Sequence, residues 1–135
     1  MSILLFLLLL VIGGFGLSMG TGTEAVAPRG YDTAIPKWAL RQGHPGDASY
    51  LAGAHLFAES GCLSCHTYLG SGSSNLGAPE LSAEGAKGHT VSWFVAKLRC
   101  PSCVTPGSSM PPYQALGPNN LHKVALFLTL SKRGS

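Results

Sequence analysis

Apolar positions along this chain fall into one solid block and three periodic stripes. Residues 3–17 are apolar or glycine without a break, and no charged side chain occurs before Glu24. Extended through Ser18, Met19 and Gly20, the block reaches about 18 residues, the lower end of what spans a bilayer. Downstream, Asp47 is a natural cap for a helix over 48–60 that ends at Gly61. Gly53 and Phe57 lie four apart on it, so a second backbone can approach beside an aromatic ring. A second stripe places apolar residues at 91, 94, 95 and 98 and predicts a helix over 90–99. The third predicts a helix over 121–132 capped by Asn119 or Asn120, with Leu121, Val124, Ala125 and Leu128 on one face and Phe127 beside it.

Between the stripes, 70–88 and 101–118 read as loop, and no strand pattern or internal repeat appears. Residues 21–47 show no sustained period and read as a linker and arm. Trp38 and Tyr31 have two readings there, at a membrane surface or packed on the domain. Three parts follow: 1–20 as an N-terminal anchor or uncleaved signal, 21–47 as the arm, and 48–135 as an all-α domain. The block lacks the basic start of an export signal, and its only late Ala-x-Ala, at Ala25 and Ala27, runs into Pro28. A retained transmembrane helix is therefore expected, with Thr21 onward outside the cytoplasm. Three short helices and loops near 18 residues make a poor core, so a large apolar ligand is expected at the centre.

Composition changes this little. The net charge of +3 comes from nine basic and six acidic residues without an aromatic-laced stripe, which argues against nucleic acid.

The four cysteines change it greatly. Cys62, Cys65 and His66 form Cys-x-x-Cys-His, the attachment signature of c-type haem. On a helical turn, i and i+3 face one way, so two thiols reach two vinyl groups while the histidine meets the iron. The main rival is a four-thiolate zinc site built from Cys62, Cys65, Cys100 and Cys103, serving a membrane-anchored interaction module without redox chemistry. That site leaves His66 unused and needs 34 intervening residues between its pairs. A thioredoxin-like dithiol lacks its βαβ setting. Cys100 and Cys103 then read as a local disulfide, allowed in an exported domain. For the sixth iron ligand Met110 is the candidate: it sits in the loop SSMPPY, 44 residues after His66, where prolines fix the backbone. His55 is the alternative. With His66 and Met110 both bound, the iron takes no substrate, so the expectation is an electron carrier and not an enzyme.

With Gly53, Phe57, Cys62-x-x-Cys65-His66, Gly77-Ala78-Pro79-Glu80-Leu81, Trp93, Met110-Pro111 and an aromatic last helix in this order, residues 48–134 resemble the class I c-type cytochromes. The resemblance implies a small cytochrome c fold, three to four short helices around one covalently bound haem c, behind one transmembrane helix. It implies that Gly53 and Phe57 cross the last helix opposite Phe127 or Leu128, and that the Pro79 carbonyl accepts a hydrogen bond from Nδ1 of His66. Leu81 and Leu98 are implied to pack on the porphyrin and Trp93 to lie near a propionate. The chain is also similar to the small cytochrome subunit of nitric-oxide reductases. The implied partners are the membrane and redox complexes of the quinol:cytochrome c reductase or haem-copper/nitric-oxide reductase type. The implied location is the periplasmic side of a cytoplasmic membrane.

Overall fold

The computed structural model describes residues 30–134, so the apolar block read as an anchor lies outside the described residues. Within them the chain is mostly helical: α1 (Ile35–Gln42), α2 (Ala48–Glu59), α3 (Val91–Arg99), α4 (Pro101–Val104) and α5 (Gly117–Leu130). A two-residue antiparallel hairpin, β1 (Thr67–Tyr68) and β2 (Ser71–Gly72), pairs Thr67 with Gly72 and Tyr68 with Ser71. No helix among the described residues is long and apolar enough to cross a membrane.

Local chemistry sets the helix starts. Asp47 Oδ1 accepts from the backbone N–H of Ser49 at 2.9 Å and of Tyr50 at 3.1 Å, holding the first turn of α2. Thr90 Oγ1 does the same for Trp93 N–H at 3.1 Å at the head of α3. Helix α5 begins differently from the asparagine cap expected. It starts at Gly117 with Pro118 in its first turn and no side-chain cap, so Asn119 and Asn120 lie inside it. Proline there loses no hydrogen bond, because the first N–H groups of a helix have no partner within it.

Three further stretches depart from the sequence reading. Residues 101–118 were expected as loop, yet they hold α4 and a 3₁₀ turn at Gln114–Leu116. The hairpin at 67–72 is too short for alternation to reveal. The largest departure is the arm. Ile35, Trp38, Ala39 and Gln42 recur at i, i+3, i+4 and i+7 and are all buried, so α1 is part of the domain's core. Trp38 is 2 % exposed and packs on Tyr68 with ring centroids 5.0 Å apart. Of its two readings, packing on the domain is the one observed.

The core is centred where α2 crosses α5. A Cβ at Gly53 would collide with the Lys123 carbonyl and Phe127, so only glycine permits this approach. Around the crossing Phe57 meets Phe127 at 5.1 Å, Tyr50 meets Phe127 at 5.0 Å, and Tyr68 meets both Phe57 and Phe127. The buried hydroxyls satisfy one another. Tyr50 and Tyr68 share a 2.8 Å hydrogen bond, Tyr68 and Ser131 one of 2.6 Å, and Ser131 Oγ donates to the Phe127 carbonyl at 2.8 Å. Burial pushes the Tyr50 hydroxyl pKa far above its ordinary value and that of Tyr68 up to about 12.

Gln42 locks α1 onto this core. Its Nε2 donates to the carbonyls of Ser82 and Arg133, each at 2.8 Å, while Oε1 accepts from Lys132 N–H at 2.9 Å and Arg133 N–H at 3.0 Å.

Candidate functional site

Gly61, with φ at 84°, swings the chain out of α2 into a 3₁₀ turn at Cys62–Ser64. The turn is closed by Cys65 N–H and His66 N–H, both donating to the Cys62 carbonyl, at 3.2 and 3.0 Å. Cys62, Cys65 and His66 thus share one turn of the backbone and line one cavity.

The turn is braced from outside. Ser73 N–H donates to the Leu63 carbonyl at 2.9 Å, and Asn75 reaches back through its N–H to the Cys65 carbonyl and through Nδ2 to the Ser64 carbonyl. Gly72, with φ at 90°, lies so near the His66 carbonyl that any Cβ would strike it. Next comes the strut that positions Pro79. Leu81 N–H donates to the Thr67 carbonyl at 3.0 Å, and the Glu80 carboxylate accepts from Leu69 N–H at 3.1 Å and Ser82 N–H at 2.9 Å. The Pro79 carbonyl then lies 2.8 Å from His66 Nδ1. Because a carbonyl only accepts, Nδ1 carries the proton, and Nε2 is left as the ring's lone-pair nitrogen, ready to ligate.

The cavity has a volume of about 620 Å³, within the range of small-molecule and cofactor sites. Phe57, Leu81, Phe94, Leu98 and Leu128 supply much of its wall. Trp93 lines it too, and His89 stacks on the indole with ring centroids 3.7 Å apart, which fixes its plane. Of the five histidines, only His66 faces this cavity. His55 sits 3.8 Å from Asp32, His44 stacks on Tyr50, and His122 is exposed on α5.

Met110 is half-buried on the cavity wall. Its loop is tied at both ends. Cys100 and Cys103 are joined by a disulfide at the head of α4, with Cα atoms 5.3 Å apart. After Met110, Tyr113 N–H donates to the Leu98 carbonyl at 2.8 Å. Between them Met110 N–H donates to Ser108 Oγ at 3.3 Å.

Cys62 and Cys65 are free thiols. Burial pushes the Cys62 pKa up to about 11, against a hydrogen bond with Tyr113 that pulls it down. Burial likewise raises the Tyr113 hydroxyl to about 12, reinforced by the neighbouring Cys62. Tyr113 is a cavity residue to which sequence reasoning assigned no role, although it stands three positions after Met110 in the same MPPY string. Glu80, outside the cavity, likewise had no role assigned: its two hydrogen bonds hold the peptide that carries Pro79, and only the fold reveals them.

The four-thiolate zinc arrangement does not form, because Cys100 and Cys103 are bonded to each other. Among the described residues, no group of three or more His, Cys, Asp or Glu side chains could hold a metal ion. A covalent haem c fits the donor set instead: two free thiols three residues apart, an imidazole with Nε2 available, a thioether, and an apolar cavity that all four line.

Comparison with known protein families, characterised proteins and solved structures finds no match for this chain.

Proposed function

We propose that this protein is a monohaem c-type cytochrome, tethered by its N-terminal apolar segment to the periplasmic face of a cytoplasmic membrane. It carries single electrons for a respiratory complex of the quinol-oxidising or oxygen/nitric-oxide-reducing kind. The observation that carries this reading is the convergence of Cys62, Cys65, His66 and Met110 on one apolar cavity, with His66 Nδ1 held by the Pro79 carbonyl.

When bound, haem c supplies a one-electron Fe(III)/Fe(II) couple. The chain's own residues do the rest. Cys62 and Cys65 would hold the group through two thioether bonds. His66 would ligate through Nε2 while the Pro79 carbonyl, accepting from Nδ1, fixes the ring. Met110 would ligate through sulfur, a soft neutral donor that favours Fe(II) and raises the potential relative to two histidines. Phe94, Leu98 and Leu81 exclude water, which limits the reorganisation that accompanies each electron. With His66 and Met110 both holding the iron, the chain would pass electrons and leave no position for a substrate.

Expression of the full chain in a host equipped for cytochrome maturation provides the test. A pigment that survives acid–acetone extraction and shows the sharp reduced bands of low-spin haem is expected. A colourless, iron-free product overturns the reading. In the pigmented protein, Met110→Ala lowers the potential and opens the iron to carbon monoxide; an unchanged spectrum moves the sixth ligand elsewhere.

A further inference from the structure

A second concavity lies apart from the cavity of Cys62 and His66 and shares none of its residues. It is an open groove of about 320 Å³ between α1 and the hairpin, lined by Lys37 and Arg41, the hydroxyl residues Thr33 and Ser71, and an apolar floor of Trp38 and Leu69. Lys37 and Arg41 stand one turn apart on the exposed face of α1. Beside them Leu40 is 69 % exposed, one of two large apolar side chains left in solvent among the described residues.

The C-terminal end of the domain meets the end of α1: Gln42 holds the backbone of Lys132 and Arg133 there, and Arg133 Nη1 donates to the Arg41 carbonyl at 3.3 Å. Among the described residues neither Lys37 nor Arg41 is in an ion pair. Two cations and two hydroxyls over an aromatic floor suit a phosphodiester. An exposed leucine beside them suits the boundary between headgroups and acyl chains.

We propose that this groove binds the phosphate of an anionic phospholipid, so that α1 lies on the bilayer with Leu40 directed into it. Fourteen residues, 21–34, separate the apolar block from α1 in the sequence, so the expected anchor makes the encounter local. The inference does not rest on the haem, and the anchor reading supplies only the local encounter.

The test is amine acylation of the full chain in phosphatidylcholine nanodiscs with or without phosphatidylglycerol, read by mass mapping. Lys37 is expected to react about fivefold more slowly with the anionic lipid, the factor one surface cation contributes. Lys123, on α5 outside the groove, is the reference, and added salt should abolish the difference. In the Arg41→Glu variant, whose change is on the exposed surface, Lys37 should lose its protection. Equal reactivity of Lys37 in the two discs overturns the proposal. So does equal protection by inorganic phosphate, which marks a general anion site, or protection in native membranes alone, which marks a protein partner. If the chain does not enter nanodiscs, the anchor reading falls. Flotation with phosphatidylglycerol vesicles, reversed by salt, then still supports the groove, and failure to float overturns it. A colourless sample with Lys37 protected removes the haem reading and leaves this one standing.

Discussion

The two sides of the α2–α5 crossing are built on opposite terms. Behind it, Trp38, Tyr50, Phe57, Tyr68 and Phe127 pack ring against ring, and their hydroxyls close a hydrogen-bonded chain ending on the Phe127 carbonyl. In front, loops and short turns surround an apolar cavity of about 620 Å³. The rear is filled by the chain itself, whereas the front has the shape of something the chain does not contain. A close-packed half can therefore hold α2, α5 and the Cys62–His66 turn in place on its own.

The strongest way to break this contrast is to hollow out the rear. Phe127→Ala removes the ring shared by Tyr50, Phe57 and Tyr68 and should cost about 3–5 kcal/mol in a denaturant titration. A loss below about 1 kcal/mol would mean that the rear does not hold the fold.

Gln42→Ala comes next. It strips partners from two carbonyls and two N–H groups and should cost about 1–3 kcal/mol. It should also raise hydrogen exchange in α1 ahead of α2. Exchange that rises equally everywhere would show that α1 is not separately docked.

A paired truncation sharpens the contrast directly. Leu121→Ala, behind, opens a new void, whereas Leu98→Ala, in front, only enlarges a space that exists. In protein prepared without pigment, Leu121→Ala should be the more damaging by about 1–2 kcal/mol, and the gap should close once the cavity is filled. Equal costs in both preparations would contradict the idea that the front depends on a ligand.

The last test is alkaline. Tyr68 holds its proton to about pH 12 in the folded protein, while an unfolded tyrosine loses it near 10, and Tyr50 is raised in the same direction. The unfolded state therefore binds fewer protons between these values. The tyrosines' contribution is complete below pH 10 and falls as pH rises toward 12, by about 1.4 kcal/mol per pH unit for each. Tyrosinate absorbance near 295 nm should appear together with unfolding. Four tyrosines titrating freely near pH 10 in folded protein would refute this.

Much of the front was legible from short-range rules. The order Gly61, Cys62, Cys65, His66 specifies a turn that places three side chains together, since the spacing and the geometry of one turn are local. A close approach at Gly53 was legible too, because a glycine four residues before an aromatic advertises one; that α5 is the partner was only implied by the resemblance. Helix α1 was missed although its spacing is regular: Pro36 and Gly43 bracket it, and Gln42, a polar residue, completes its buried stripe. No local rule makes a glutamine apolar enough to bury; the backbone of residues 82, 132 and 133 does so by using its full hydrogen-bonding capacity. The start of α5 was misplaced because Pro118 is as good an opening signal as Asn119, and only the capping geometry separates them.

By itself the sequence determined which residues could act together within one turn: the two thiols and the imidazole, and the capped start of α2. The tertiary structure alone decided that Pro79, thirteen residues on, would meet Nδ1 of His66, that Met110 would share the cavity wall with it, and that Gln42 would close the rear. Contacts within a turn follow from backbone geometry, whereas these join distant segments whose closure the whole core must stabilise.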